Sequence, residues 1–257
     1  MSKEPIDKDY IIKVKDLYKT YGDITAINGI SFKVKKGEVF GMLGPNGAGK
    51  TTTLEILETI RNYDSGIACI NGLEVKDNQK IIKSNIGIQL QSNSFFDYLT
   101  LEETINLYSK IYSTNKTPQE MLSKVELTDK SKSYYKELSG GQKQKFSITI
   151  ALINNPIVLF LDEPTTGLDP QARRNLWNLI KNIKSQGITI VLTTHYMEEA
   201  QELCDRVAII DNGNIVALDS PNNLIRKLLD NGFTSQRVTQ KANLEDVFIN
   251  LTGNQLT

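Results

Sequence analysis

The 257-residue sequence is poor in cysteine and histidine, and it has no long apolar run. It contains one histidine and two cysteines, Cys69 and Cys204, which lie far apart in the chain. This spacing disfavours a disulfide framework and a cysteine-based metal site, and we expect both cysteines to be small buried residues. Because no apolar run is long enough to span a bilayer, a partner must supply the spans if the protein serves a membrane.

Charge of neither sign is in excess, since 30 lysine and arginine residues balance 30 aspartate and glutamate residues. A balanced chain has no overall field that favours nucleic acid or an anionic membrane, so we expect no nucleic-acid partner. The first residues, Met1–Pro5, lack the apolar core of a signal peptide, and we expect a cytosolic location.

What the sequence does contain is a glycine-rich turn between an apolar strand and a helix. The segment Gly44–Thr51 fits the pattern G-x-x-x-x-G-K-[ST] of a phosphate-binding P-loop. Glycines let the backbone curl until several N–H groups point inward, and the helix adds its positive end. We expect Lys50 to reach the β- and γ-phosphates of a nucleotide and the Thr51 hydroxyl to hold Mg²⁺. The residues expected to bind nucleotide here are Gly44, Pro45, Asn46, Gly47, Ala48, Gly49, Lys50, Thr51 and Thr52.

The rest of the chain has the pattern of an α/β protein. Alternating residues predict strands over 11–43, and Asn71-Gly72 predicts a hairpin turn. Strand signals are absent from about 92 to 157, whereas the later apolar runs are typical of parallel strands covered on both faces. We predict a P-loop NTPase core, mostly parallel sheet flanked by helices, with an N-terminal antiparallel β-subdomain and an inserted α-helical subdomain. The predicted bounds are 10–220 for the domain, about 92–156 for its insert and 221–257 for a C-terminal helical tail.

Polar residues stand where two of the apolar strands end. Asp162 and Glu163 follow one strand, and His195 follows the next. Since the carboxyl ends of parallel strands share one edge of a sheet, we expect these residues beside the P-loop. Asp162 then fits a second Mg²⁺ ligand, Glu163 a base for water that attacks the γ-phosphate, and His195 a group that orients this water. The alternatives are a helix-capping acid pair and a structural histidine.

One further motif indicates a family. Leu138-Ser139-Gly140-Gly141-Gln142 resembles the signature of ATP-binding cassette (ABC) ATPases. The other marks of that family follow in the expected order over residues 10 to about 220. They are Tyr21 as the adenine-stacking aromatic, Gly44 to Thr52 as Walker A, Gln91 as the Q-loop, Ile157 to Glu163 as Walker B, Gly167-Leu168-Asp169 as the D-loop and His195 as the H-loop.

The resemblance implies ATP and Mg²⁺ as ligands, with Gln91 acting both in catalysis and, beside Thr51 and Asp162, as a metal ligand. In the family two cassettes face head to tail, so the signature of one copy completes the ATP site of the other. This implies a second copy of the chain or a paralogous cassette as partner, with Asp169 communicating between the two sites. The residues expected to reach across are Ser139, Gly140, Gly141, Gln142 and Asp169.

Shorter segments of similar sequence indicate one branch of this family. Residues 161–170 and 194–200 resemble bacterial exporters, and Asn243–Phe248 resembles the tail of cassettes of the daunorubicin-resistance (ABC-2) type. Such cassettes pair with a separate permease of about six spans, which implies a place at the cytoplasmic face of the membrane. The permease is expected to dock on the helical insert, with Gln91 at the hinge. Phe95, Phe96 and Tyr98 either line that docking groove or belong to the subdomain core.

One departure and two alternatives remain. The family usually has Gln-Arg after the signature, whereas this chain has Gln144-Lys145, which puts any bidentate contact there in doubt. A soluble ABC protein acting on ribosomes or DNA is disfavoured, because the chain has one signature and no long coiled coil between P-loop and signature. A P-loop kinase or GTPase outside the family would leave the signature unexplained.

Overall fold

The computed structural model describes residues 9–90 and 95–233 together with residues 247, 250 and 251. The described strands form two sheets, one antiparallel and one mostly parallel. The strands are β1 (Tyr10–Tyr21), β2 (Ile24–Lys35), β3 (Val39–Leu43), β4 (Ser65–Ile70), β5 (Leu73–Glu74), β6 (Ile86–Gln89), β7 (Val158–Asp162), β8 (Thr189–Thr194), β9 (Arg206–Asp211) and β10 (Asn214–Asp219).

The antiparallel sheet is built by the N-terminal strands in the order β2-β1-β4-β5. Its central strand β1 pairs Ile12 with Val34 on one side and with Ile70 on the other, and all three side chains are buried. The hairpin from β4 to β5 turns at Asn71-Gly72, where both residues have positive φ. Alternation of apolar and polar residues thus gives this sheet one face toward the core.

The second sheet has the order β10-β9-β3-β8-β7-β6, in which all neighbours but β10 and β9 run parallel. Every residue of β3, β7 and β8 is buried, which explains their unbroken apolar runs. Because β3, β7 and β8 are adjacent and parallel, their carboxyl ends share one edge.

Helices cover the parallel sheet and fill the stretch between β6 and β7, which we call the helical subdomain. The predicted fold class is therefore confirmed, whereas α2 was not anticipated from the sequence. Within the described residues, no helix combines the length and apolarity that crossing a membrane requires. The helices are α1 (Lys50–Leu57), α2 (Gln79–Asn85), α3 (Leu101–Ile111), α4 (Pro118–Ser123), α5 (Gly140–Ala151), α6 (Pro170–Ser185), α7 (Met197–Leu203) and α8 (Pro221–Asp230).

Side-chain caps set where the subdomain helices begin. Thr100 and Ser139 precede α3 and α5, and each forms a reciprocal capping box with the residue three positions later. Thr117 caps α4, followed by proline at the first helical position. The two cysteines are free, and Cys204 is buried while Cys69 is half-buried.

A cavity of about 360 Å³ lies between α1, β6 and the helical subdomain, and we call it the subdomain cavity. Glu58, directly after α1, lines it and is fully buried. Neither carboxylate oxygen of Glu58 has a hydrogen-bond partner among the described residues. Burial, reinforced by the negative charges of Asp162 and Glu55, raises the pKa of Glu58 to about 8.

This raised pKa predicts how stability changes with pH. The folded chain holds the Glu58 proton more tightly than the unfolded chain, so its contribution to stability is complete below pH 4.5 and lost as pH rises through about 8. Glu58→Gln removes the titrating group, and we expect the variant to gain several degrees over wild type at pH 8 but little at pH 5. Thermal melts across this range test the prediction, and a constant difference between the two proteins would contradict it.

Candidate functional site

The glycine-rich turn joins β3 to α1 through a tight backbone that excludes other residues. Gly49, at the start of α1, has φ of +101°, and a Cβ built on it would lie 2.3 Å from the Ala26 carbonyl oxygen. A Cβ on Gly44 would lie 2.1 Å from the Ile210 carbonyl oxygen. Glycine is therefore required at both ends of the loop. With the backbone in this conformation, the first N–H groups of α1 are directed at the loop.

Lys50 is buried inside this loop. Its Nζ donates hydrogen bonds to the carbonyl oxygens of Gly44 at 2.8 Å and Pro45 at 3.0 Å, and it lies 4.0 Å from Glu163 Oε1. Burial lowers the pKa of Lys50, and the nearby carboxylates of Glu163 and Asp162 oppose that shift. The loop thus fixes an ammonium group at the point where a phosphate would enter.

A hydroxyl and a carboxylate meet beside the lysine. Thr51 Oγ1 donates to Asp162 Oδ1 at 3.3 Å, and the Thr193 hydroxyl donates to the same oxygen. Burial raises the pKa of Asp162, against the hydrogen bonds from Thr193 and Thr51. Hydroxyl and carboxylate oxygens are the hard ligands that Mg²⁺ takes, so this pair fits such an ion.

Thr193 is a site residue that the sequence analysis did not identify. Besides its bond to Asp162, its hydroxyl oxygen accepts a hydrogen bond from the Glu163 backbone N–H at 3.0 Å. One side chain on β8 therefore positions both acidic residues at the end of β7. The signal available in the sequence was a pair of threonines ending an apolar strand directly before His195.

Glu163 lies between Lys50 and His195. Its Oε1 is 4.0 Å from Lys50 Nζ and 3.3 Å from His195 Nδ1, and its Oε2 accepts from the Thr166 hydroxyl at 3.2 Å. Its backbone has φ of +46°, in the left-handed region that a glutamate adopts only under constraint. The acid pair does not cap the following helix, because Asp169 has that role for α6.

These groups surround one cavity of about 420 Å³, which we call the loop cavity. The structure therefore brings the P-loop, Glu163 and His195 together, as the strand ends predict. The residues that line the cavity are Ala26, Asn46, Gly47, Gly49, Lys50, Thr51, Thr52, Glu163, Thr166 and His195.

Tyr21 lies at the end of β1 with two fifths of its surface exposed. The Lys19 ammonium and the Arg61 guanidinium lie 5.1 and 5.7 Å from the centre of its ring. It is not among the residues that line the loop cavity, so its adenine contact stays a prediction.

The signature residues are separate from the loop cavity in the described chain, and none of Ser139 to Gln142 lines it. Ser139 caps α5 and is exposed, as is Gly140. A Cβ built on Gly141 would lie 3.1 Å from Ala172 Cβ, which places the start of α5 beside α6. The exposed Asp169 caps α6, accepting from the backbone N–H groups of Gln171 and Ala172. The signature and Asp169 thus form a second polar surface on the same chain.

Gln91 lies outside the described residues, so its predicted roles at the metal and in catalysis stay predictions. The strand that leads to it is tied to α5, because the buried Gln89 amide donates to Gln144 Oε1 at 3.1 Å. Lys145, which stands where the family usually has arginine, pairs with Glu126 at 2.9 Å. This is a single-point contact that does not need the planar guanidinium fork.

The aromatic residues after β6 divide between core and surface. Phe95 packs edge-on against Tyr135 and Phe146, with ring centres 4.7 and 5.4 Å apart, and belongs to the subdomain core. Phe96 and Tyr98 are exposed over 61% and 88% of their surface and, with Leu107, line a hollow of about 550 Å³. Of the three aromatic residues, Phe96 and Tyr98 are thus the exposed ones.

A comparison with protein-family models matches residues 27–166 to the ABC transporter family. The chain is 37% identical over 223 residues to the linearmycin resistance ATP-binding protein LnrL of Bacillus subtilis (strain 168), covering 85% of this chain and 72% of that protein. It is 39% identical over 223 residues to the doxorubicin resistance ATP-binding protein DrrA of Mycobacterium tuberculosis (strain ATCC 25618 / H37Rv), covering 84% and 67%.

The fold of the chain is similar to that of a solved structure. The dimeric post-hydrolysis structure of the ATP-binding cassette MJ0796, bound to ADP and Pi, superposes with a TM-score of 0.73. That chain is 27% identical, and the match covers 81% of this chain and 98% of the other.

Proposed function

Because the chain belongs to the ABC transporter family, as an ATP-binding cassette of that family, we propose that it hydrolyses ATP to drive export through a separate permease. The observation that carries the proposal is the convergence of Lys50, Asp162, Glu163 and His195 on the phosphate loop. Two relatives named for linearmycin and doxorubicin resistance support the export branch.

The geometry suggests a role for each of these residues in ATP hydrolysis. The loop N–H groups and Lys50 hold the phosphates. Two N–H donors of the ammonium go to loop carbonyls, which leaves one for a phosphate oxygen. Glu163 accepts the proton of the attacking water. His195, 3.3 Å from Glu163 Oε1, keeps that carboxylate and the water in place. Thr166 holds the other carboxylate oxygen.

Thr51 and Asp162 would hold Mg²⁺, with Gln91 as the further ligand that the family resemblance implies. The donor set fits, because the Thr51 hydroxyl and the Asp162 carboxylate are hard oxygen ligands 3.3 Å apart. When bound, the ion neutralises charge that develops on the phosphate oxygens. The Thr193 hydroxyl, by its hydrogen bond to Asp162, orients the carboxylate toward the ion.

We propose that two cassettes act as a head-to-tail pair, formed with a second copy or a paralogue. The support is the separation of the two half-sites on one chain: the loop cavity on one surface, and the exposed Ser139 and Gly140 at the N-terminus of α5 on another. A helix N-terminus with its dipole is suited to an anion such as the γ-phosphate of ATP held by the partner. Asp169, beside this surface, would contact the other cassette.

We further propose that the chain binds a permease of about six spans at the cytoplasmic face of the membrane. Exposed large aromatics support this contact, because Phe96 and Tyr98 line an open hollow on the helical subdomain. Aromatic residues are enriched in protein interfaces, where a few buried side chains carry most of the binding energy.

Glu163→Gln tests the catalytic proposal. The amide cannot accept the proton, so ATP turnover should fall by at least roughly 100-fold while MgATP still binds. The arrested protein should run as a dimer with ATP in size-exclusion chromatography. Glu198→Gln, which changes an exposed acid nearby, is the matched control and should retain turnover. Full turnover by Glu163→Gln, or a monomer in the presence of ATP, would count against the assignment.

Thr193→Val tests how the metal ligand is positioned. The change keeps the shape of the side chain but removes the hydroxyl bound to Asp162 and Glu163. We therefore expect kcat to fall by about 10–100-fold and the Mg²⁺ concentration that gives half the maximal ATPase rate to rise. Thr189→Val is the control. Thr189 is a buried threonine at the other end of β8, and its hydroxyl accepts a hydrogen bond from the Gly37 N–H. An unaltered Mg²⁺ titration of the ATPase rate would show that Thr193 has no such role.

Phe96→Asp tests the docking surface. A carboxylate in the aromatic hollow opposes burial, so a co-expressed permease should no longer co-purify with the variant. Ile24→Asp is the control, because Ile24 is an exposed apolar residue on the antiparallel sheet. Equal recovery of the permease by both variants would place the contact elsewhere.

A further inference from the structure

His195 lies beside Glu163, yet no hydrogen bond fixes the direction of its ring. Its Nδ1 is 3.3 Å from Glu163 Oε1, and this buried nitrogen has no hydrogen-bond partner among the described residues. About a quarter of the His195 side chain is exposed, so the core does not enclose the ring. A group that keeps a carboxylate and a water in place needs a fixed position of its own. Another contact therefore has to hold the imidazole.

The contact that the structure offers is the ring of Tyr196. The centres of the His195 and Tyr196 rings lie 4.1 Å apart, and their planes are tilted by 42°. Tyr196 is half-buried, and its backbone N–H donates to the Thr194 hydroxyl at 2.9 Å, which fixes the main chain next to His195. Tyr196 stands at the start of α7, but its side chain forms no hydrogen bond that caps this helix. The Tyr196 side chain therefore serves packing rather than capping.

Arg173 on α6 lies over the same tyrosine. The carbon of its guanidinium group is 4.8 Å from the centre of the Tyr196 ring, within the range in which a cation is attracted to an aromatic face. A guanidinium group is planar and weakly hydrated, so it stacks on such a ring better than an ammonium group does. Arg173, Tyr196 and His195 are therefore in contact one after the other, and the row ends at Glu163.

The other contacts of Arg173 do not account for its position. Its Nη1 is 3.8 Å from Glu198 Oε2, but the Glu198 side chain is 78% exposed, and an exposed ion pair contributes little to stability. Its Nε is buried and has no hydrogen-bond partner within the described part of the chain. Burying a donor without a partner costs free energy, which the stack on Tyr196 helps to offset.

Hydrogen bonds at both ends of its helical turn keep Arg173 in place. The Arg173 backbone N–H donates to the Asp169 carbonyl oxygen at 2.9 Å, so the residue belongs to the first turn of α6. One turn later, Trp177 Nε1 donates to Glu199 Oε1 on α7 at 3.3 Å, and both of these side chains are buried. Because α7 begins directly after Tyr196, this bond fixes the helix that carries Arg173 against the segment that carries the tyrosine.

We propose that Arg173 is a positioning residue for ATP hydrolysis, which holds the imidazole of His195 beside Glu163 by stacking on Tyr196. The inference rests on the proposed function, since it adds a residue to the same site. Arg173 and Tyr196 are not among the residues that line the loop cavity, so we expect neither to bind the nucleotide. Loss of the guanidinium should therefore lower kcat and leave the KM for ATP unchanged.

Arg173→Met tests this role by ATPase kinetics. Methionine keeps the apolar stem of the side chain but not the guanidinium, so kcat should fall about tenfold at an unchanged KM. Arg173→Lys keeps the charge but loses the planar group, and it should fall as far. Arg174→Met changes the exposed neighbouring arginine and is the matched control, which should keep both constants. Wild-type kcat in Arg173→Met, or equal losses at positions 173 and 174, would overturn the proposal.

Variants of the tyrosine distinguish a stack from a general loss of stability. Tyr196→Phe keeps the ring and should keep kcat, whereas Tyr196→Leu removes the ring and should lower kcat as Arg173→Met does. The double variant Arg173→Met/Tyr196→Leu should lose little more than either single variant, because both changes break the same row of contacts. Full addition of the two losses would show that the residues act independently and would contradict the stack.

Nuclear magnetic resonance observes His195 without relying on activity. His195 is the only histidine in the sequence, so the untagged full chain gives one set of imidazole signals, which the ring current of the nearby Tyr196 displaces from peptide values. Arg173→Met and Tyr196→Leu should move these signals toward the peptide values, whereas Arg174→Met should not. Unchanged signals in Arg173→Met would overturn the proposal. If the wild-type chain hydrolyses no ATP, the proposed function fails, and the signals of His195 still decide whether Arg173 holds the ring.

Discussion

The backbone ladder that joins β3, β8 and β7 is the constraint on which the site depends. Parallel pairing places Leu43 opposite Thr194 and Thr193 opposite Asp162, so the three strands end at nearly the same level. Thr51 of the phosphate loop and Asp162 are 111 residues apart along the chain, and His195 lies further on still, yet all three are placed by the same ladder. Because these strands are buried on both faces, their register is fixed by the apolar side chains that pack above and below the sheet.

Sequence reasoning recovered the parts of the fold that local chemistry determines. Glycines that require a particular backbone and fully apolar strands each carry a local signal, and these elements were found. Helix α2 has no side-chain cap and only seven residues, so little in the sequence marks it. Ile82 is the one buried residue of this helix, so no apolar stripe marks it either.

The site itself was predicted less completely, for a similar reason. Lys50, Asp162 and Glu163 stand in motifs, whereas Thr193 is one of two threonines in an apolar strand and matters only because β8 lies beside β7. Glu58 gave no signal, since a glutamate near a helix end is ordinary until its burial is known. Phe95 and Phe96 are neighbours in sequence but face the core and the solvent respectively, a difference that depends on packing against Tyr135 and Phe146.

Because Glu163 has a left-handed backbone, the residue that would favour stability at this position differs from the residue that activity requires. A glycine there would relieve a conformational cost of about 1 kcal/mol, yet it would remove the carboxylate that lies between Lys50 and His195. Selection for a more stable fold and selection for turnover therefore favour different residues at position 163. A lineage that no longer needed to hydrolyse nucleotide would be free to relax this strain, so the identity of residue 163 in a relative indicates which pressure has acted on it.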